Sequence, residues 1–152
     1  VAREGIFNSL QFAFSNSEVL DLFAGSGSMG IEALSRGAKY VTFIDNSPDC
    51  IDKINKNLKE YENDYSVLNL NVSNFLSETN SRYDIVFYDP PFEYLSDNVN
   101  LDIYELSSKL NKNGLIVTHR HSNSPSTVLP KDVELYKEKN YGQSKILILR
   151  KL

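Results

Sequence analysis

Four groups of residues in this 152-residue chain could do chemistry together. Gly25, Gly27 and Gly30 stand in the spacing Gly-x-Gly-x-x-Gly directly after the apolar run Val19-Leu20-Asp21-Leu22-Phe23. A turn of this kind between a strand and a helix lets backbone approach a ligand and aims the free N–H groups of the helix start at it. Asp45 follows a second β-prone run, Tyr40 to Ile44, at a position suited to accepting from ribose hydroxyls. The glycines and Asp45 alone fit any nucleoside ligand, a nicotinamide dinucleotide included. Asp21 tips the choice, because a carboxylate beside the turn repels a pyrophosphate and attracts a sulfonium carrying an ammonium group.

The fourth group is Asp89-Pro90-Pro91-Phe92, delivered by the apolar run Tyr83 to Tyr88. Consecutive prolines fix φ and remove local N–H donors, so the loop is a stiff hydrogen-bond acceptor. An exocyclic amine on a base is a poor nucleophile because its lone pair is delocalised into the ring. Accepting both of its N–H groups, on the Asp89 carboxylate and the Pro90 carbonyl, favours a pyramidal nitrogen with a localised lone pair. Phe92 is placed to stack on a base that has left its helix. Read in isolation, the same tetrapeptide could be a tight turn with Phe92 in the core.

Asp21-Leu22-Phe23-Ala24-Gly25-Ser26-Gly27 resembles the first motif of class I S-adenosylmethionine-dependent methyltransferases. The stretch from Gly30 to Ala38, together with Asp89-Pro90-Pro91-Phe92, is similar to the RsmD-like family, and the resemblance runs from Arg3-Glu4 to the last strand. It implies methyl transfer from S-adenosylmethionine to the exocyclic N2 of a guanine in 16S ribosomal RNA, within a small ribosomal subunit or its assembly intermediate. It also implies a donor site of Asp21, Phe23, Gly25, Ser26, Gly27, Asp45, Asn46, Asn71 and Val72, and a catalytic site of Asp89, Pro90 and Phe92. Asn71 departs from the pattern, which has an acidic residue facing the adenine amine. An amide can still accept from that amine and donate to a ring nitrogen. The loop does not separate guanine N2 from adenine N6, and two readings of other classes stand beside it: an NAD(P)-dependent oxidoreductase and a non-catalytic nucleotide-binding module.

The elements that position these groups predict an α/β fold, and the resemblance implies its Rossmann-like class I methyltransferase form. We expect a mostly parallel seven-stranded sheet with an antiparallel last strand and helices on both faces, in one domain over residues 1–152. The apolar spacing of Ile6, Phe7, Leu10 and Phe14 predicts a helix over 4–14. Ser47-Pro48-Asp49 opens another, whose Lys53, Lys56 and Lys59 form a solvated face. Residues 65–70 read as the third strand, 99–110 as a helix closed by Asn113-Gly114, 115–118 as the fifth strand, and 133–136 with 145–149 as a closing antiparallel pair.

The bulk properties set limits. The formal net charge of −4 runs against a nucleic-acid substrate, whose affinity comes largely from Lys and Arg on phosphates. The chain begins at Val1 without a methionine, and the resemblance implies a basic segment before it, so part of the RNA-holding surface is expected to lie outside this sequence. A single cysteine, Cys50, fits a reducing compartment, and no apolar run approaches the roughly 20 residues of a membrane span. We expect a soluble, cytoplasmic monomer. His119 and His121 have no accompanying cluster of ligands and predict no metal site.

Overall fold

The computed structural model describes residues 2–62 and 64–152. Seven strands form one sheet in the order β3-β2-β1-β4-β5-β7-β6. Strands β1 (Glu18–Leu22), β2 (Tyr40–Asp45), β3 (Tyr65–Asn69), β4 (Tyr83–Tyr88) and β5 (Leu110–His121) run parallel. Strand β7 (Ser144–Lys151) lies antiparallel between β5 and β6 (Val133–Tyr141).

Alternation along the strands creates two cores, one on each face. Leu20, Leu22, Ile44, Val86 and Tyr88 point to the face covered by α4 (Val72–Glu78) and α5 (Ser96–Ser107). Val19, Val41, Phe43, Ile85 and Phe87 point to the face covered by α1 (Ala2–Ser9), α2 (Ser28–Ser35) and α3 (Pro48–Asn57). The helices therefore do lie on both faces. The reversal of strand order between β1 and β4 opens a crevice at their carboxyl ends, and both the glycine turn and the proline loop sit there.

Three expectations about elements change, and one element is new. The first helix ends at Ser9, and 10–13 turn back. A continuous helix would separate Phe7 from Phe14 by about 10 Å along its axis; the turn brings their rings to 4.9 Å and sets Phe14 against Phe87 as well. The segment after β3 forms α4, capped by Asn71. The helix expected over 99–110 is α5, ending at Ser107, and Leu110 already pairs with Tyr83 in β5. Asn113-Gly114 is thus no helix cap. It lies in an irregular stretch of β5, where the register shifts between Tyr83 and Ile85, Asn113 takes φ 66°, and a Gly114 Cβ would sit 2.8 Å from the Asn111 carbonyl. Strands β5 and β6 also outrun their expected ends. The outer half of β6 is an exposed edge bearing Lys137 and Lys139, so it lacks the apolar alternation that marks a strand in sequence.

Candidate active site

The glycine turn is held by two carboxylates from two strands. Asp45, at the tip of β2, accepts from the Gly25 N–H through Oδ2 and from the Ser47 N–H through Oδ1, both at 2.9 Å. Asp21, inside β1, accepts from the Gly30 N–H at 3.0 Å. Gly27 is the N-cap of α2 and has no side chain to offer, so Asp21 reaches across from the sheet to satisfy an amide of the helix's first turn. Gly30 must be glycine for packing, because a Cβ there would lie 2.4 Å from the Phe43 ring. Gly25 needs its glycine for another reason: φ is +61° and the space where a Cβ would stand is open, which leaves the backbone free for close approach by a ligand.

Asp21 is only 3% exposed. Burial pushes its carboxyl up to about 8, against the Gly30 N–H that pulls it down and with the repulsion of Asp89 and Asp45 adding to the rise. A carboxyl in that state is poised to ionise when a cation is brought beside it.

A pocket of about 310 Å³ joins Asp21, Phe23 and Gly25 to Asp89. Arg3 of α1, Met29 of α2 and His119 of β5 also line it. Ser26, Gly27, Asp45, Asn46, Asn71 and Val72 lie outside its lining. They continue the row of strand tips: the Leu70 N–H donates to the Asp45 carbonyl at 3.1 Å, which sets Asn71 next to Asp45. Asn71 Oδ1 accepts from the Asn74 N–H as the N-cap of α4, so its NH₂ is the end of the amide left for a ligand. Val72, the first residue of α4, has its side chain in the core.

The loop after β4 is braced from below. Tyr88, just before it, and Tyr94, just after it, both donate their phenols to Asp102 Oδ2 of α5, at 2.5 and 2.8 Å. The Phe23 ring packs edge-on against both tyrosines, so the end of β1 and the loop share one aromatic wall. Asp102 has a sequence signal: it stands in the apolar stripe Val99, Ile103, Leu106 of an amphipathic helix. The Tyr94 N–H donates to the Pro91 carbonyl at 2.9 Å, so that oxygen does have a local donor, contrary to expectation. No donor reaches the Pro90 carbonyl among the described residues. Pro90 itself is buried, while Phe92 is 84% exposed, which removes the reading of Phe92 as a core residue.

The two histidines serve this loop. His119 Nδ1 lies 3.5 Å from Asp89 Oδ1, and the His121 ring meets the Phe92 ring edge-on at 5.7 Å. The Asp89 side chain is 65% exposed; partial desolvation by the protein around it raises its carboxyl, and His119 opposes the rise. Sequence spacing gave no hint of these pairings, because β5 continues past Thr118 and carries both histidines to the crevice.

A family model described as Conserved hypothetical protein 95 matches residues 1–150. Ribosomal RNA small subunit methyltransferase D of Buchnera aphidicola subsp. Acyrthosiphon pisum is 36% identical over 144 residues, covering 93% of this chain and 74% of the relative. The chain belongs to the RsmD-like family of S-adenosylmethionine-dependent methyltransferases. Another member named ribosomal RNA small subunit methyltransferase D, from Haemophilus influenzae, is 34% identical over 92% of this chain and 75% of its own length. The solved structure of a proposed methyltransferase from Escherichia coli superposes with a TM-score of 0.91 at 31% identity, over 98% of this chain and 85% of that one. The strand order and the antiparallel β7 are the class I methyltransferase fold. No helix among the described residues is long and apolar enough to cross a membrane.

Proposed function

We propose that this protein transfers the methyl group of S-adenosylmethionine to the exocyclic N2 of a guanine in 16S ribosomal RNA, acting in the cytoplasm on a small ribosomal subunit or its precursor. The observation that carries this reading is the pocket in which Asp21 and the glycine turn face Asp89 of the proline loop, whose Phe92 is exposed.

Residues 1–152 work as one domain in this reading. The donor's fit rests on three features: open space and positive φ at Gly25, the Asp45 carboxylate beside it, and a buried acidic group at Asp21. Asp45 keeps lone pairs for ribose hydroxyls beyond the two amides it accepts. Asn71 offers its NH₂ to the adenine, and Asp21 receives positive charge. Bound there, S-adenosylmethionine supplies a methyl group already activated by the sulfonium.

The protein's remaining task is alignment and exclusion of water. Asp89 accepts one N–H of the acceptor amine and the Pro90 carbonyl the other. The Asp102 brace holds both ends of the loop so that these oxygens keep their spacing. Phe92 stacks on the base, and His119 favours the anionic form of Asp89, in which both oxygens only accept.

The test is incubation of labelled S-adenosylmethionine with small subunits from cells lacking the gene, followed by identification of the modified nucleoside. N2-methylguanosine is expected. N6-methyladenosine would reassign the acceptor to adenine, and titration in which NADH binds while S-adenosylhomocysteine does not would overturn the methyltransferase reading.

A further inference from the structure

Two pockets meet at Asp89. The first holds Asp21 and the glycine turn; the second, of about 330 Å³, is lined by Phe92, His121, Ser124 and Ser144 among others. Asp89 and His119 are the two residues that line both, and His119 Nδ1 stands 3.5 Å from Asp89 Oδ1. This pair is therefore the wall between the donor space and the space beside Phe92. Its separation is within ion-pair range and long for a hydrogen bond, so His119 acts on Asp89 mainly through charge. Few other charged groups face Asp89. Arg3 of α1 and Asp21 of β1 line the first pocket, His121 lines the second, and Arg120 turns its guanidinium to Ser96 of α5 on the opposite face of the sheet.

Resting on the guanine-N2 reading above, we propose that His119 is a positioning residue that holds Asp89 as a carboxylate, and that Asp89 in this form takes the N1–H and N2–H of guanine together, which selects guanine over adenine. The amine to be methylated has different neighbours in the two bases. Guanine sets a donor, N1–H, beside N2; adenine sets a bare N1 beside N6. A carboxylate presents two acceptor oxygens side by side, so guanine fills both in the paired fashion that makes such contacts selective. Oδ1 has two lone pairs, and facing His119 leaves one for the base. The Pro90 carbonyl keeps the second N2–H. Adenine gives one N–H to one oxygen and turns a lone pair on the other, a repulsion that counts against it. A protonated carboxyl reverses the preference, because its O–H donates to adenine N1 while its other oxygen accepts from N6. Partial desolvation drives Asp89 toward that protonated form, and His119 opposes it. An imidazole gains charge as acidity rises, so the opposition strengthens under the conditions that threaten the carboxylate. His119 thus supplies a choice of base that Asp89-Pro90-Pro91-Phe92 does not make by itself.

The experiment measures kcat/KM for small subunits from cells lacking the gene, between about pH 5 and 9, in the wild-type protein, His119→Gln and His119→Lys. S-adenosylmethionine is kept saturating so that Asp21 does not govern the profile. The acid limb is expected to move to higher pH in His119→Gln, which cannot take charge, and to return toward its wild-type position in His119→Lys. A merely structural role would lower the rate without moving the limb. In a second arm, guanosine and 2-aminopurine riboside compete with the subunits. 2-Aminopurine keeps the amine but carries a bare N1, so guanosine should inhibit the wild type at least about tenfold more strongly at high pH, the scale of a hydrogen bond to a charged group. That ratio should shrink as pH falls through the acid limb, because the protonated carboxyl can donate to the bare N1. A fixed limb in His119→Gln, equal inhibition by the two nucleosides, no inhibition by guanosine, or a ratio indifferent to pH overturns the proposal. If His119→Gln does not fold, the nucleoside arm on the wild type still decides. The parent reading fails separately: absence of methyl transfer to the subunits, or N6-methyladenosine as the product, overturns it, whereas N2-methylguanosine formed with a fixed acid limb removes only the role of His119.

Discussion

Replacing Asp21 by asparagine keeps an oxygen to accept the Gly30 N–H and removes the charge. The Asp21 carboxyl moves from 3.8 to about 8 on folding. The native state thus holds a proton that the unfolded chain releases between those values. The contribution of Asp21 to stability is therefore greatest below pH 4, falls as pH rises through the window from 3.8 to about 8, and is flat above it. The full displacement corresponds to at most about 6 kcal/mol, so Asp21→Asn should be the more stable protein in urea above pH 8 and should lose most of that advantage near pH 4.

The same proton reports on the ligand. At pH 7, one unit below its value, about nine in ten Asp21 carboxyls are protonated, so seating a cation beside them releases up to about 0.9 proton. If the bound carboxyl titrates well below 6, affinity between pH 6 and 9 rises by up to roughly 100-fold. Calorimetry in buffers of different ionisation enthalpy measures both quantities. S-adenosylmethionine and S-adenosylhomocysteine share the ammonium and differ in the sulfonium, so comparing them tells which charge faces Asp21. Proton release and pH dependence should vanish in Asp21→Asn. A flat affinity without proton release in the wild type, or a pH dependence that persists in the variant, refutes the electrostatic reasoning.

Asp89→Ala should abolish methyl transfer and leave S-adenosylhomocysteine binding within a few-fold. Asp45→Ala, which strips the acceptor from the Gly25 and Ser47 amides as well as from the ligand, should weaken that binding at least tenfold. Equal losses of binding in both titrations would contradict the division between donor and acceptor sites. Phe92→Ala should leave stability within about 0.5 kcal/mol, since the ring is exposed, and lower kcat/KM for RNA by about 1–3 kcal/mol in steady-state assays. Gly30→Ala drives a methyl group into the Phe43 ring and should destabilise by about 1–3 kcal/mol, read as a lowered melting temperature, despite alanine's better helix propensity.

Sequence reading located the glycine turn, the two strand carboxylates and the proline loop, which the structure brings to one crevice, because their meaning is local. A glycine needed for positive φ, a carboxylate at a strand tip and two prolines that stiffen four residues act on the backbone beside them, so type and spacing carry the information. The parallel strands were legible for a related reason: Tyr83 to Tyr88 is buried on both faces and reads as a nearly continuous apolar run. Elements with mixed surroundings were not. The exposed outer half of β6, the short α4 and the β5 irregularity at Asn113-Gly114 look like loops or caps until their neighbours are known.

Tertiary structure alone decided which distant groups complete the site. His119 meets Asp89 across thirty positions of chain because β4 and β5 lie side by side; Arg3 arrives on α1 and Asp102 on α5. Arg120 is buried without a counter-ion, a property no sequence pattern expresses, since burial depends on what packs around a residue and pairing on which carboxylates come within reach. Short-range backbone chemistry determined where a ligand would be gripped, and the folding of far-apart segments onto one crevice determined how the gripping groups are charged, braced and aimed.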